Sequence, residues 1–267
     1  MISDIRNKGL WDKINPNREH MKCADFFTDM QESDQSKKHP QPPLSKPAVS
    51  EIIELTADFS KINKLDSYAA LLNSRRSERI FNKEKAMTQS ELAFLLWSTQ
   101  GIQEIRGENY VTLRPVASGG ARHAFETYMV IRNVEGLKPG IYHYLPLEHV
   151  GEKKVSIEFI KELPDLKDKL VEMVALQKWV AHSQVVFFWT CVAYRAEWRY
   201  TFLAHRVALM DVGHIGQNMM LSAVSVGLGS CCVAAYNQEV SDEILGVDGK
   251  EEFLVYACAV GAPKKEK

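Results

Sequence analysis

The sequence contains no CxxC pair and no Cys/His run at metal-ligand spacing, so neither a zinc module nor a thioredoxin-type motif is encoded. It contains no GxGxxG opening a helix and no GxxxxGK[ST], which excludes Rossmann and P-loop modes of phosphate binding. It has no basic excess: 33 Lys and Arg stand against 34 Asp and Glu, a formal net charge of −1, where a nucleic-acid binder needs cationic surplus. It has no uninterrupted apolar run of membrane length. The longest, after Arg206, is broken by Asp211, His214, Gln217 and Asn218. The N-terminal stretch MISDIRNKGLWDK lacks the apolar core of a signal peptide. The expectation is a reduced, cytoplasmic protein without a metal ion, and without nucleic acid or membrane as partner.

What is present fits a folded domain. A chain of 267 residues, 45% hydrophobic and 25% charged, can bury a substantial core. Five cysteines occur, an odd number. Cys191, Cys231 and Cys258 sit among apolar residues, as small buried thiols do. Cys231 and Cys232 are adjacent, and alternation on a strand points them to opposite faces, which argues against their acting together as a redox device. Residues 1–50 are polar, with Pro40, Pro42, Pro43 and Pro47 in SDQSKKHPQPPLSKP, and read as an extended arm. Residues 51–267 read as one domain.

Within that domain DSYAALLNS is a short helix. TQSELAFLLWSTQG is a second, with a capping box at Thr88 and Glu91 and a stop at Gly101. ETYMVIRNV and GIYHYLP are strands around the turn-rich EGLKPG. PDLKDKLVEMVALQKWVAHS reads as one helix with Pro164 in its first turn, and QVVFFWTCVA as a buried strand. Arg206 to Gly227 is a long helix, apolar on nearly every face, and therefore central. SCCVAA and EFLVYACAVG close the chain as strands, with a helical turn at SDEILGV. The mixture is α+β: a mostly antiparallel sheet flanked by helices around a long buried one.

Three stretches can carry chemistry. NSRRSERIF places Arg75, Arg76 and Arg79 within five residues, with Ser74 and Ser77 among them. Guanidinium forks and hydroxyls suit a phosphate, although cations at a helix C-terminus also answer the macrodipole. RPVASGGARHAFETYMV holds a small-residue run whose backbone can approach a flat ligand, or which is an ordinary glycine loop. RVALMDVGHIGQNMMLSAVSVGLGS puts Asp211, His214 and Asn218 on one helical face; such groups need partners when buried, and His214 is better read as a core histidine than a catalytic one.

Taken in order, RRSER, the SGGA loop leading into a strand, the helix ending GLG, the following AAYN and the final VGAPK resemble the nitroreductase-like flavoproteins over Ser67 to Lys264, nearest the SagB-type dehydrogenase branch. The resemblance implies FMN held at the interface of a homodimer. It assigns the flavin phosphate and ribityl chain to Arg75, Arg76, Ser77 and Arg79, with Lys264 assisting. It assigns the flavin ring to Ser118 and Gly119 of the partner subunit, with Ala117 where proline is usual, and a backbone contact to Ala234 and Ala235. Arg199–Tyr200 stands where the azoline-oxidising branch carries Lys-Tyr. Arginine stays protonated and is a poor base, whereas tyrosine can still relay a proton. The expected activity is transfer of electrons from NADH or NADPH to a small nitroaromatic or quinone-like acceptor, with Tyr200 and Arg199 as the catalytic pair. The alternatives are a dehydrogenase of azoline heterocycles in a peptide and a flavin-binding protein without catalysis.

Overall fold

The computed structural model describes residues 31–264, apart from 56–58, 60–61, 63–66 and 109. In chain order the elements are β1 (Ile52–Leu55), α1 (Tyr68–Ser74), α2 (Gln89–Gln100), β2 (Glu104–Arg106), β3 (Val111–Leu113), β4 (Phe125–Ile131), β5 (Gly140–Tyr144), β6 (Val155–Lys161), α3 (Leu166–Met173), β7 (Val185–Val192), α4 (Tyr194–Tyr200), α5 (Ala204–Ser225), β8 (Gly229–Val233), α6 (Gln238–Leu245) and β9 (Glu252–Gly261). Seven strands form one sheet in the order β1-β6-β5-β4-β7-β9-β8, every pair antiparallel, while β2 and β3 form a separate hairpin.

Strand periodicity divides the core in two. Phe125, Met129 and Ile131 of β4, with Phe187, Trp189, Cys258 and Val260 of the neighbouring strands, face a layer built from α2 and α5. Val130, Ile141, Val186 and Phe188 face the other way, under Leu170 and Met173 from α3, Val174 just after it and Leu245 from α6. Burying these apolar faces drives the fold at about 25 cal/mol per Å² removed from water. The capping box at Thr88 and Glu91 forms in both directions, Glu91 N to Thr88 Oγ1 at 3.1 Å and Thr88 N to Glu91 Oε2 at 2.8 Å.

The second face also has a polar half. His143 lies between two carboxylates, Nδ1 at 2.9 Å from Glu158 and Nε2 at 3.1 Å from Glu126, and Arg195 completes the set by binding Glu126. All four are buried. Residues 44–50 cover this layer. Lys46 N donates to Glu126, Lys46 Nζ to Glu252 at 2.7 Å, and the amides of Val49 and Ser50 to Glu158. Unpaired, these carboxylates would cost several kcal/mol each, so the arm segment is fastened by the charges it covers. Residues 1–30, the first part of the expected arm, lie outside the described residues, as does Cys23.

Two expectations change. The single helix over 164–183 is two pieces: α3 starts after Pro164, ends at Met173, and a 3₁₀ turn follows at Lys178–His182. Ala175 and Leu176 take positive φ (51° and 64°) between them. A straight helix would carry its second half roughly 20 Å along one axis. The break instead places Val180 in the same core cluster as Met173 and Val174, buries Ala181 and leaves Leu176 exposed. Helix α5 is central, but among the described residues only one side of it is buried. Val212, Ile215 and Met219 are buried, while Leu209 and Met210 are 59% and 45% exposed on the opposite side, beside exposed Gly213, His214 and Gln217.

Candidate active site

The arginine segment runs from the end of α1 alongside β8 and β9. Glu78 N donates to Ser230 O at 2.9 Å, and Ser77 pairs with Ser230 as an isolated parallel bridge. Asn82 N donates to Ala262 O and Lys264 N to Ile80 O. These backbone bonds bring Lys264 to the segment from 184 residues away in sequence. Arg75 is half-buried, whereas Arg76, Ser77, Arg79 and Lys264 are exposed. Arg76 Nη1 is turned onto the carbonyls of Asn73 and Arg75. Arg79 lies over the Trp179 ring at 5.7 Å. Arg195 pairs with Glu126 and Arg106 with Glu104, but neither Arg75 nor Arg79 forms an ion pair among the described residues. The Ser230 hydroxyl behind them is buried without a hydrogen-bond partner among the described residues. Cationic forks lacking carboxylates, a serine hydroxyl and a lysine form the donor set a phosphate requires, so these residues fit a phosphate-bearing cofactor.

Ala234 and Ala235 follow β8 directly and are exposed. Gln177 Nε2 donates to Ala235 O at 3.0 Å and fixes this stretch against the turn before β7.

The remaining residues form a second group. Ser118 Oγ donates to Asp211 Oδ2 at 2.6 Å, and Gly119 N donates to both oxygens of the same carboxylate, at 3.0 and 3.2 Å. His123 N donates to Ser118 Oγ, and the His214 ring meets Ala117 O. The polar face of α5 noted in the sequence is therefore the clasp of the SGGA loop, and Asn218 adds a bond to Ser98 O. The hydroxyl of Ser118 and the amide of Gly119 are already engaged inside the chain. Burial raises Asp211 above the ordinary carboxyl range, against the lowering effect of these bonds.

Arg199 and Tyr200 end α4 and lie against this loop. A Cβ on Gly120 would stand 2.7 Å from both Arg199 Nε and Tyr200 OH, and Gly120 has φ 55°, so only glycine suits the position. Arg199 Nη1 donates to Tyr110 OH at 2.9 Å and to Gln35 Oε1 at 3.2 Å. Arg122 is buried between the Tyr110 and Trp198 rings, each centroid 5.1 Å away. The Nε atoms of Arg122 and Arg199 and Nη1 of Arg122 have no hydrogen-bond partner among the described residues. Arg122, Tyr110 and Gln35 escaped the sequence reading. Only the place of Arg122, directly after SGGA, hinted at it, because Tyr110 and Gln35 arrive from distant loops. Within one chain the two groups stay apart along α5. The loop docks at Asp211, whereas β8 meets the helix at Gly216, about 7.5 Å further along the axis.

The profile of the nitroreductase family matches residues 72–262. A Methanocaldococcus jannaschii protein named as a nitroreductase is 30% identical over 192 residues, covering 72% of this chain and 88% of that protein. The chain belongs to the nitroreductase family, whose members are oxidoreductases. The trifolitoxin-processing protein of Rhizobium leguminosarum bv. trifolii is 28% identical over 150 residues, 55% of this chain and 39% of the relative. The fold is shared with a chain of the Escherichia coli microcin synthetase complex solved with truncated pro-MccB17 bound, at TM-score 0.58 and 16% identity, covering 99% of this chain and 97% of that one. The SagB-type affinity and the mostly antiparallel, helix-flanked sheet expected from the sequence both stand. No helix among the described residues is long and apolar enough to cross a membrane.

Proposed function

We propose that the protein is an FMN-dependent oxidoreductase that takes electrons from NADH or NADPH and passes them to a small nitroaromatic or quinone-like acceptor. The observation that supports this reading is that backbone bonds bring Lys264 beside the segment of Arg75, Ser77 and Arg79, and that neither Arg75 nor Arg79 forms an ion pair among the described residues. When bound, the flavin supplies two-electron transfer between donor and acceptor. The arginines and Lys264 neutralise its phosphate, and Ala234 and Ala235 supply backbone near its ring. Arg199 and the Tyr200 hydroxyl stand over Gly120 and orient the acceptor, with Tyr200 able to deliver a proton.

Two copies complete the site. The exposed stripe of Leu209, Met210, Gly213 and Gln217 on α5 supports packing against a second chain, which would bring the partner's SGGA loop toward the phosphate seat. A monomer in light scattering with flavin bound overturns this part.

The test of the main reading is the visible spectrum of the purified protein before and after anaerobic NADH, then NADPH. Flavin bands that bleach support it. Absence of bands, and no uptake of added FMN, removes the cofactor. Bands that persist favour the flavin-binding reading without catalysis, or the second reading that the comparisons favour. That second reading is oxidation of azolines in a peptide, supported by the similarity to the trifolitoxin-processing protein. Arg199 bears on the choice, since it cannot serve as the base a lysine could provide. Release of two hydrogens from an azoline peptide, measured by mass, would select it.

A further inference from the structure

Cys232 on β8 and Cys258 on β9 are direct cross-strand partners. Opposed residues on antiparallel strands have Cα atoms about 4.5–5.5 Å apart, inside the roughly 4.4–6.8 Å that a disulfide spans. Both side chains are on the face toward α5. Cys258 belongs to the buried core there, and Cys232 Sγ is 3.9 Å from Gly216 O. A Cβ on Gly216 would stand 3.4 Å from that sulfur, so glycine leaves it space. The adjacent Cys231 is excluded, since alternation turns it toward Ser77 and Arg79 and its cross-strand partner is Ala259. Cys191 pairs with Phe253, far along β9.

We propose that Cys232 and Cys258 form a reversible cross-strand disulfide when the protein meets a peroxide, independently of the electron transfer proposed above.

The two sulfurs have distinct roles. The neighbouring Cys258 lowers Cys232 from the ordinary thiol value, with Tyr256 and the field of Arg75 assisting against the effect of burial. Burial, reinforced by Cys232, holds Cys258 well above that range. Cys232 is also partly exposed, whereas Cys258 is sealed. Cys232 is therefore the attacking sulfur. Its thiolate displaces hydroxide from the peroxide O–O bond to give a sulfenic acid. The Cys258 sulfur then attacks that sulfur, loses its proton and releases water. The pair of thiols gives up two electrons and the peroxide accepts two.

The experiment treats the folded protein with about one equivalent of hydrogen peroxide, denatures it in excess N-ethylmaleimide, and maps the peptides by mass. The expected result is a peptide pair joined through Cys232 and Cys258, two fewer alkylated thiols, and recovery of both with dithiothreitol. In Cys258→Ser the sulfenic acid persists at Cys232 and is trapped by dimedone. In Cys232→Ser, residue 258 stays unmodified. A disulfide through Cys231, or all thiols alkylated after peroxide, overturns the proposal. The wild-type map decides even if a variant fails to fold.

Discussion

Ser118 and Asp211, 93 residues apart in the chain, are joined by a 2.6 Å hydrogen bond, and the same carboxylate receives the amide of Gly119. One side chain of the central helix therefore sets the shape of the small-residue loop. Asp211→Ala leaves the Ser118 hydroxyl and the Gly119 amide without their acceptor in a half-buried place. Hydrogen bonds to a charged group contribute about 1.5–3 kcal/mol each, and water can partly replace them here. The expected loss is about 2 kcal/mol in urea denaturation. Asp211→Asn, which keeps one acceptor oxygen, should lose less. Equal stability for all three proteins would show that the loop holds its shape without the carboxylate.

Gly120 is the contact through which the same loop meets Arg199 and Tyr200. Alanine there must adopt φ near 55° and place a methyl group 2.7 Å from Arg199 Nε and Tyr200 OH. The strain is of order 1 kcal/mol or more, and the side chains must retreat. Gly120→Ala is expected to reduce turnover of the acceptor at least tenfold, while flavin affinity changes less than threefold. The two quantities are read by stopped-flow oxidation of the reduced protein and by fluorescence titration with FMN. A turnover within twofold of wild type would separate Gly120 from the site.

Much of this was legible in the sequence, because the signals are local. The capping box at Thr88, the apolar run of β7 and the RRSER cluster each declare themselves within a few residues. The helix over 164–183 failed for the converse reason: its apolar spacing continues through Ala175 and Leu176, whereas the burial of Val180 after the break depends on packing across the fold. The clasp at Asp211 was half legible. Its polar face could be seen, but not that its partner is the SGGA loop. Arg122 with Tyr110 and Gln35, and the carboxylates around His143, depend on strand register and on loops meeting across the fold, which no spacing encodes.

The phosphate seat makes a graded prediction. If Arg75 and Arg79 each donate to a dianionic phosphate, Arg75→Gln or Arg79→Gln should weaken FMN binding about 10- to 100-fold. Arg76→Gln should change it little, since Arg76 is turned onto backbone carbonyls. Riboflavin, which lacks the phosphate, should bind wild type and variants almost alike. Titration by flavin fluorescence measures all of these. Riboflavin affinity falling as far as FMN affinity in Arg75→Gln would move that arginine from the phosphate to the ring or ribityl chain.

The buried layer under the arm predicts how stability follows pH. Burial alone would depress His143, but its bonds to Glu126 and Glu158 outweigh burial and raise it above the usual imidazole value. A raised folded value means that the native state holds the proton longer than the unfolded chain. The contribution of His143 is therefore complete below about pH 6.5 and is lost as pH rises through its folded value. Glu126 runs the other way. Burial pushes it up, yet Arg195 and His143 hold it at about 2, so its contribution is present above the ordinary carboxyl value and lost as pH falls toward 2. Urea denaturation midpoints should therefore decline on both sides of a maximum. His143→Gln can no longer charge, and it leaves buried carboxylates short of a cation, so it should be less stable by about 3 kcal/mol near neutrality. Its stability should also decline less steeply from about pH 6 to pH 9 than that of wild type. Parallel curves over that range would mean that the proton between Glu126 and Glu158 is not what fastens residues 44–50 to the sheet.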